Sequence, residues 1–269
     1  VSNLGKRITT SIIYVALILI ALYFGEISSL ILLAIFLLLS LIEFYGLFKT
    51  TSIKPQQFVP ILIGLLAFIG IASDYLKAYH EIIIIGIFSL LFIIELFRLE
   101  KKPIQNLGIA ILGIMYIAVP LAYVYKIGFV SADSSVIAFN PKLILAFFII
   151  VWTNDTAAYF VGSAIGKHKL FPKISPKKSW EGFFGGVFFG ILVGYINYLV
   201  IGELSMLQWL IAAFVAVIFA TLGDLVESSF KRSLDIKDSG TLLPGHGGIL
   251  DRLDGIFLSA PMFYLALSI

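Results

Sequence analysis

Residues 81–97 read EIIIIGIFSLLFIIELF. Wound into a helix, this run is apolar on every face apart from its two glutamates. A strand of a transmembrane barrel would alternate polar and apolar residues, which this run does not do. The segment therefore belongs in hydrocarbon as an α-helix, whose backbone hydrogen bonds close within the segment. The rest of the chain repeats the pattern. Of 269 residues, 60% are hydrophobic and 13% charged, about half the charge of an ordinary soluble domain. No soluble core of this size takes up so much apolar surface. Soluble, disordered, collagen-like and disulfide-stapled classes are excluded, leaving an all-α integral membrane protein, a polytopic helical bundle.

With about 20 apolar residues per crossing, the sequence predicts nine transmembrane helices, near 8–24, 28–48, 58–73, 80–97, 104–125, 142–165, 182–201, 204–230 and 250–269. The first run follows Lys6 and Arg7, as a signal peptide would. No small-x-small cleavage site follows it, so it reads as an uncleaved first helix. All of the 19 Lys and Arg except Lys77, Lys126 and Lys142 fall on one side of this arrangement. By the positive-inside rule the N-terminus and the long loops 166–181 and 231–250 face the cytosol. There is no cysteine, which excludes thiol catalysis, cysteine-bound zinc and disulfides. No internal repeat of the transporter kind is evident. Residues 1–140, spans 1–5, read as a scaffold. Residues 141–269, spans 6–9 with both long loops, read as the catalytic region.

Ionisable groups inside spans are costly and mark candidate sites. Glu43 and Glu95 lie near the cytosolic ends of spans 2 and 4, where each can snorkel or pair with Lys49 or Arg98. Asp224 lies about 30 Å along span 8 at ~1.5 Å per residue, at the cytosolic rim. Glu227, Ser228 and Lys231 share its face. Asp251 and Asp254 share a face at the start of span 9. Up to four carboxylates thus gather at lipid-phosphate depth, where like charges need a cation between them. An all-oxygen donor set suits Mg²⁺ and disfavours zinc. The plainer alternative is salt bridging with Lys231, Arg232 and Arg252. Asp155, about 16 Å from the end of span 6, stands with Asn154 and Tyr159 and calls for a wet funnel reaching down from the cytosol. A structural hydrogen bond between helices is the alternative there.

The two loops add cations and glycines. Pro244-Gly245-His246-Gly247-Gly248 leads straight into span 9, and glycine backbones at a helix start suit a phosphate. Ser175-Pro-Lys177-Lys178-Ser179-Trp-Glu-Gly182 brings two lysines to the start of span 7, which Ser179 can N-cap. Taken alone, the lysines also fit attraction to anionic lipid.

Residues 228–254 then resemble the signature of the phosphatidate cytidylyltransferase (CDP-diacylglycerol synthase) family. Ser228, Phe230, Lys231, Arg232, Lys237, Asp238, Gly240, Leu243, Pro244, His246, Gly247, Gly248, Ile249, Asp251, Arg252, Leu253 and Asp254 match its fixed positions. The likeness extends well over residues 141–269; residues 1–140 carry no motif of it. The resemblance implies that CTP and phosphatidate become CDP-diacylglycerol and pyrophosphate. It also implies a homodimer in a bacterial cell membrane, with no nucleic-acid partner. On this reading Asp224, Asp251 and Asp254 hold Mg²⁺, and a second cation fits between them. Lys231 and Asp155 join them as catalytic residues. Asn154, Ser175, Lys177, Lys178, Arg232, Lys237, His246, Gly247, Gly248 and Arg252 bind the substrates. Two other functions compete. A CTP-dependent polyprenol or phytol kinase would transfer the γ-phosphate, and an ion-coupled transporter would use the acids as ion sites. The CDP-alcohol phosphotransferase pattern is missing.

Overall fold

The computed structural model describes residues 3–72, 77–130, 138–240 and 247–268. Helices α1 (Asn3–Tyr23), α2 (Glu26–Gly46), α3 (Phe58–Ala72) and α4 (Lys77–Phe97) come first. The fifth rod joins α5 (Pro103–Gly113), a π-helical turn (Ile114–Ala118) and α6 (Val119–Ile127). Then follow α7 (Pro141–Ile165), α8 (Trp180–Ile201), α9 (Met206–Ser233) and α10 (Leu250–Leu267). These rods lie where the spans were expected. Five of them, Glu26–Gly46, Pro103–Ile127, Pro141–Ile165, Trp180–Ile201 and Met206–Ser233, are long and apolar enough to cross a membrane. Helix α10 carries Asp251, Arg252 and Asp254 in its first turns, so its start is more charged than those of these five.

The loop expected at 166–181 contains regular structure. Strands β1 (Lys169–Phe171) and β2 (Ser175–Ser179) pair antiparallel, with an irregularity between the Lys169–Ser179 and Phe171–Ser175 pairs. Hydrophobic alternation cannot reveal a hairpin this short. Ser179 closes it and accepts the Gly182 N–H at 3.2 Å, capping α8 as its sequence position suggested.

The site region is packed by small residues. Gly182, Gly186, Gly190 and Gly194 form one buried stripe along α8. With little hydrophobic drive between helices in lipid, such stripes let backbones approach and gain dispersion. A methyl group at Gly182 would sit 2.6 Å from the Ala158 carbonyl of α7, and one at Gly194 2.5 Å from Ala213 Cβ of α9. Helices α9 and α10 meet equally closely, since a methyl at Gly223 would lie 2.6 Å from the Asp254 carbonyl. Fully buried Trp209, Phe147 and Phe263 fill the layer between these helices.

The first half has its own polar anchor. Glu95 is buried and accepts from Gln56 Nε2 at 3.0 Å, Asn106 Nδ2 at 2.7 Å and Arg98 Nη1 at 2.7 Å. The pairing with Arg98 is the one expected. Glu43 does not pair with Lys49; it turns inward toward α10.

Candidate active site

A cavity of about 720 Å³ opens between the helices of the second half and α1. Helix α7 lines it with Asn154, Asp155 and Tyr159, and β2 with Lys177, Lys178 and Ser179. Thr221 and Asp224 face it from α9, and Asp251, Arg252 and Asp254 from α10. The close crossing at Gly223 explains this convergence. It sets the turn carrying Asp224 against the turn carrying Asp254.

Each acid has a distinct environment. Asp224 Oδ2 pairs with Lys178 Nζ at 2.6 Å, and its Oδ1 accepts from Ser228 Oγ at 3.2 Å. Both partners of the ion pair are about a third exposed, at 27% for Lys178 and 33% for Asp224, so the pair is open to exchange with an incoming anion or cation. The counter-charge thus comes from the hairpin, not from Lys231 or Arg232. Asp254 Oδ1 accepts from the Gly255 N–H at 2.7 Å. Asp155 Oδ1 accepts from Asn154 Nδ2 at 3.1 Å. Asn154 itself is buried, pressed against the glycine face of α8 at Gly186.

Asp251, assigned above to a metal, is committed to protein. Its Oδ1 takes Lys231 Nζ at 2.7 Å. Its Oδ2 takes Ser239 N at 2.9 Å, Ser239 Oγ at 2.9 Å and Gly248 N at 2.8 Å. Four donors nearly saturate a carboxylate. Lys231 is shared with buried Glu227, one turn earlier on α9. This network ties the end of α9, the loop and the start of α10 into one unit. Gly247 is required in it, because its φ of +80° is unfavourable for other residues and a Cβ there would strike the Asp251 carboxylate.

The structure therefore brings Asn154, Asp155, Lys177, Lys178, Asp224, Asp251, Arg252 and Asp254 to one cavity. Lys231 is not in the cavity wall; it contacts Asp251 and Glu227 behind it. Gly247 and Gly248 shape the loop. Ser175 opens β2 opposite Phe171. Arg232 turns back on its own loop, donating to the Ile236 carbonyl at 3.0 Å, and Lys237 is exposed. His246 lies outside the described residues. Two contributions were missed from sequence. Glu43 reaches the start of α10, and α1 adds Thr10, Ser11 and Tyr14 to the cavity wall. An acid near a helix end was the only signal for Glu43. A tyrosine in an apolar helix gave none for Tyr14.

Among the described residues, no three His, Asp or Glu side chains converge closely enough to chelate an ion by themselves. The donors around the cavity are all oxygens, from Asp155, Asp224 and Asp254. That set fits Mg²⁺, which keeps several waters and is held by one or two carboxylates plus substrate phosphates.

The sequence pattern of the cytidylyltransferase family matches residues 5–269. The chain belongs to the cytidylyltransferase family. It is a nucleotidyltransferase and a membrane protein. The phosphatidate cytidylyltransferase of Staphylococcus epidermidis is 36% identical over 247 residues, 89% of this chain and 91% of that protein. That of Staphylococcus aureus is 47% identical over 126 residues, 46% of this chain and 48% of its own. The Haemophilus influenzae enzyme of the same name is 44% identical over 126 residues, covering 45% and 44%. In this cytidylyltransferase the family match includes α1 and α2, where no motif could be quoted. In the structure α1 lines the cavity, and Glu43 of α2 holds the start of α10.

Proposed function

We propose that this chain joins CTP and phosphatidate into CDP-diacylglycerol, releasing pyrophosphate, in the cavity between α7, β2, α9 and α10. The observation that carries this reading is the meeting of Asp155, Asp224 and Asp254 with Lys177, Lys178 and Arg252 in one cavity among apolar helices. Such a site suits two anionic substrates, one soluble and one anchored in lipid.

In this reaction a phosphate oxygen of phosphatidate attacks the α-phosphorus of CTP. A new P–O bond forms as the bond to pyrophosphate breaks. The nucleophile is already largely ionised near neutral pH, with a second pKa of about 6, so no strong base is required. The protein's task is to bring two anions together and neutralise them. Lys177 and Lys178 do so from β2 and Arg252 from α10. Lys178 leaves Asp224 for a phosphate when substrate enters. Asn154 holds Asp155, and Asp251 with Lys231 and Glu43 keeps the loop and the start of α10 in place. Asp224 and Asp254, with Asp155 beside them, would hold Mg²⁺. A bound Mg²⁺ supplies further positive charge to the phosphates. The asymmetry of the basic residues supports a cavity mouth on the cytosolic side, where CTP is found, and the family resemblance suggests a homodimer.

The test is product analysis with purified protein, CTP, phosphatidate and Mg²⁺ in mixed micelles. CDP-diacylglycerol and pyrophosphate are expected in equal amounts. CDP with a phosphorylated lipid would overturn the reading in favour of a γ-phosphoryl transfer.

A further inference from the structure

Helix α1 lies in the half of the chain without motifs, yet it puts Tyr14 in the wall of the polar cavity. The Tyr14 ring is held from two sides. It stacks on Phe36 of α2, with centroids 5.7 Å apart and planes at 21°, and meets Trp152 of α7 edge-on at 6.3 Å and 65°. Its hydroxyl is buried and finds no hydrogen-bond partner among the described residues. A buried phenol normally satisfies its hydroxyl. Tyr45 does so by donating to the Ala110 carbonyl at 2.7 Å, and Tyr125 by donating to Glu26 at 3.0 Å. Tyr116 is also without a partner, but it does not line the cavity. Tyr14 is thus a rigid, desolvated donor whose protein environment supplies no acceptor.

Its position indicates which substrate supplies one. Trp152, the ring that Tyr14 touches, is also a wall of a second groove of about 360 Å³, with Ile149, Ala157 and Phe189 among its apolar walls. Trp152 and Thr156 border both spaces. A lipid substrate must place its phosphate in the polar space and its chains in an apolar one. Tyr14 stands at that boundary. We propose that Tyr14 Oη donates a hydrogen bond to the phosphate of bound phosphatidate, making α1 a lipid-recognition element. This rests on the reaction proposed above.

The test is Tyr14→Phe in the full-length protein, after the wild type has been shown to make CDP-diacylglycerol. No protein hydrogen bond is lost, so the variant should melt in detergent at the wild-type temperature or higher. Its KM for phosphatidate should rise about tenfold or more, as for loss of one hydrogen bond to a charged group, with the KM for CTP unchanged. An unchanged phosphatidate KM overturns the inference. So does a rise confined to CTP, or a lower melting temperature with wild-type kinetics, which marks a structural hydroxyl. Failure of the wild type to make CDP-diacylglycerol is a separate result, and strikes the proposed reaction itself.

Discussion

Glu43 Oε2 on α2 accepts the backbone N–H of Leu250 at the start of α10 at 2.9 Å, across 207 residues of chain. The same carboxylate packs so closely on the loop that a methyl at Gly240 would come 2.8 Å from Oε1. An anion at a helix N-terminus satisfies an orphan donor and opposes the helix dipole. Glu43 thus fixes the direction in which α10 presents Asp251, Arg252 and Asp254. Glu43→Ala is expected to lower stability by about 1–3 kcal/mol and to cut turnover at least tenfold. Glu43→Gln, which keeps an acceptor, should retain more of both. Thermal melts in detergent and initial rates on the same preparations check this.

Asp224 and Asp251 should respond differently to the same change. Asp224→Asn removes charge from an open pair with Lys178 and should leave the melting temperature close to wild type. Mg²⁺-dependent product formation should be lost. Asp251→Asn breaks a buried network of four donors, and should lose both activity and about 2–4 kcal/mol of stability. Equal stability of the two variants would contradict the division of labour drawn from their partners.

Asp155→Asn should keep the protein folded and cripple turnover. Its carboxylate accepts from its neighbour Asn154 at 3.1 Å, and the residue lines the cavity. Unchanged kinetics in this variant would make Asp155 a structural residue.

The glycine stripe offers a test away from charge. Gly186→Val should disable the enzyme, because a side chain there strikes Asn154 and separates α8 from α7. Overpacking of this kind costs about 1–3 kcal/mol or more. Gly108→Ala on α5 meets nothing within 4 Å. It should be neutral or stabilising by about 0.4–1 kcal/mol. Melting temperatures of the two variants against wild type separate these outcomes.

Much of the site could be read from residue type and spacing. Asp224, Asp251 and Asp254 stood out because charge inside apolar spans is rare, and Ser179 because a serine before a helix has one common use. Other features depended on distant partners. The Lys178–Asp224 pair joins a hairpin to a helix residue 46 positions later, and nothing local selects Lys178 over Lys231 as the partner. Glu43 looked like an ordinary end-of-span acid because its acceptor role is defined only by α10. The role of the α8 glycines is likewise defined only by the side chains and backbone of α7 and α9 that touch them.

By itself the sequence determined that this is a helical membrane protein, where its spans run, and which half carries the charged motifs. Those properties follow from solvent preference, which each segment expresses alone: about 20 apolar residues seek hydrocarbon wherever they occur. Only the tertiary structure decided which acids are free and which are bound. It also decided that α1 lines the cavity, that Glu43 of α2 holds the start of α10, and that Asp251 braces the loop while Asp224 pairs with Lys178. Hydrogen bonds and ion pairs act over about 3 Å, so their partners are set by how the helices cross, which no single segment encodes.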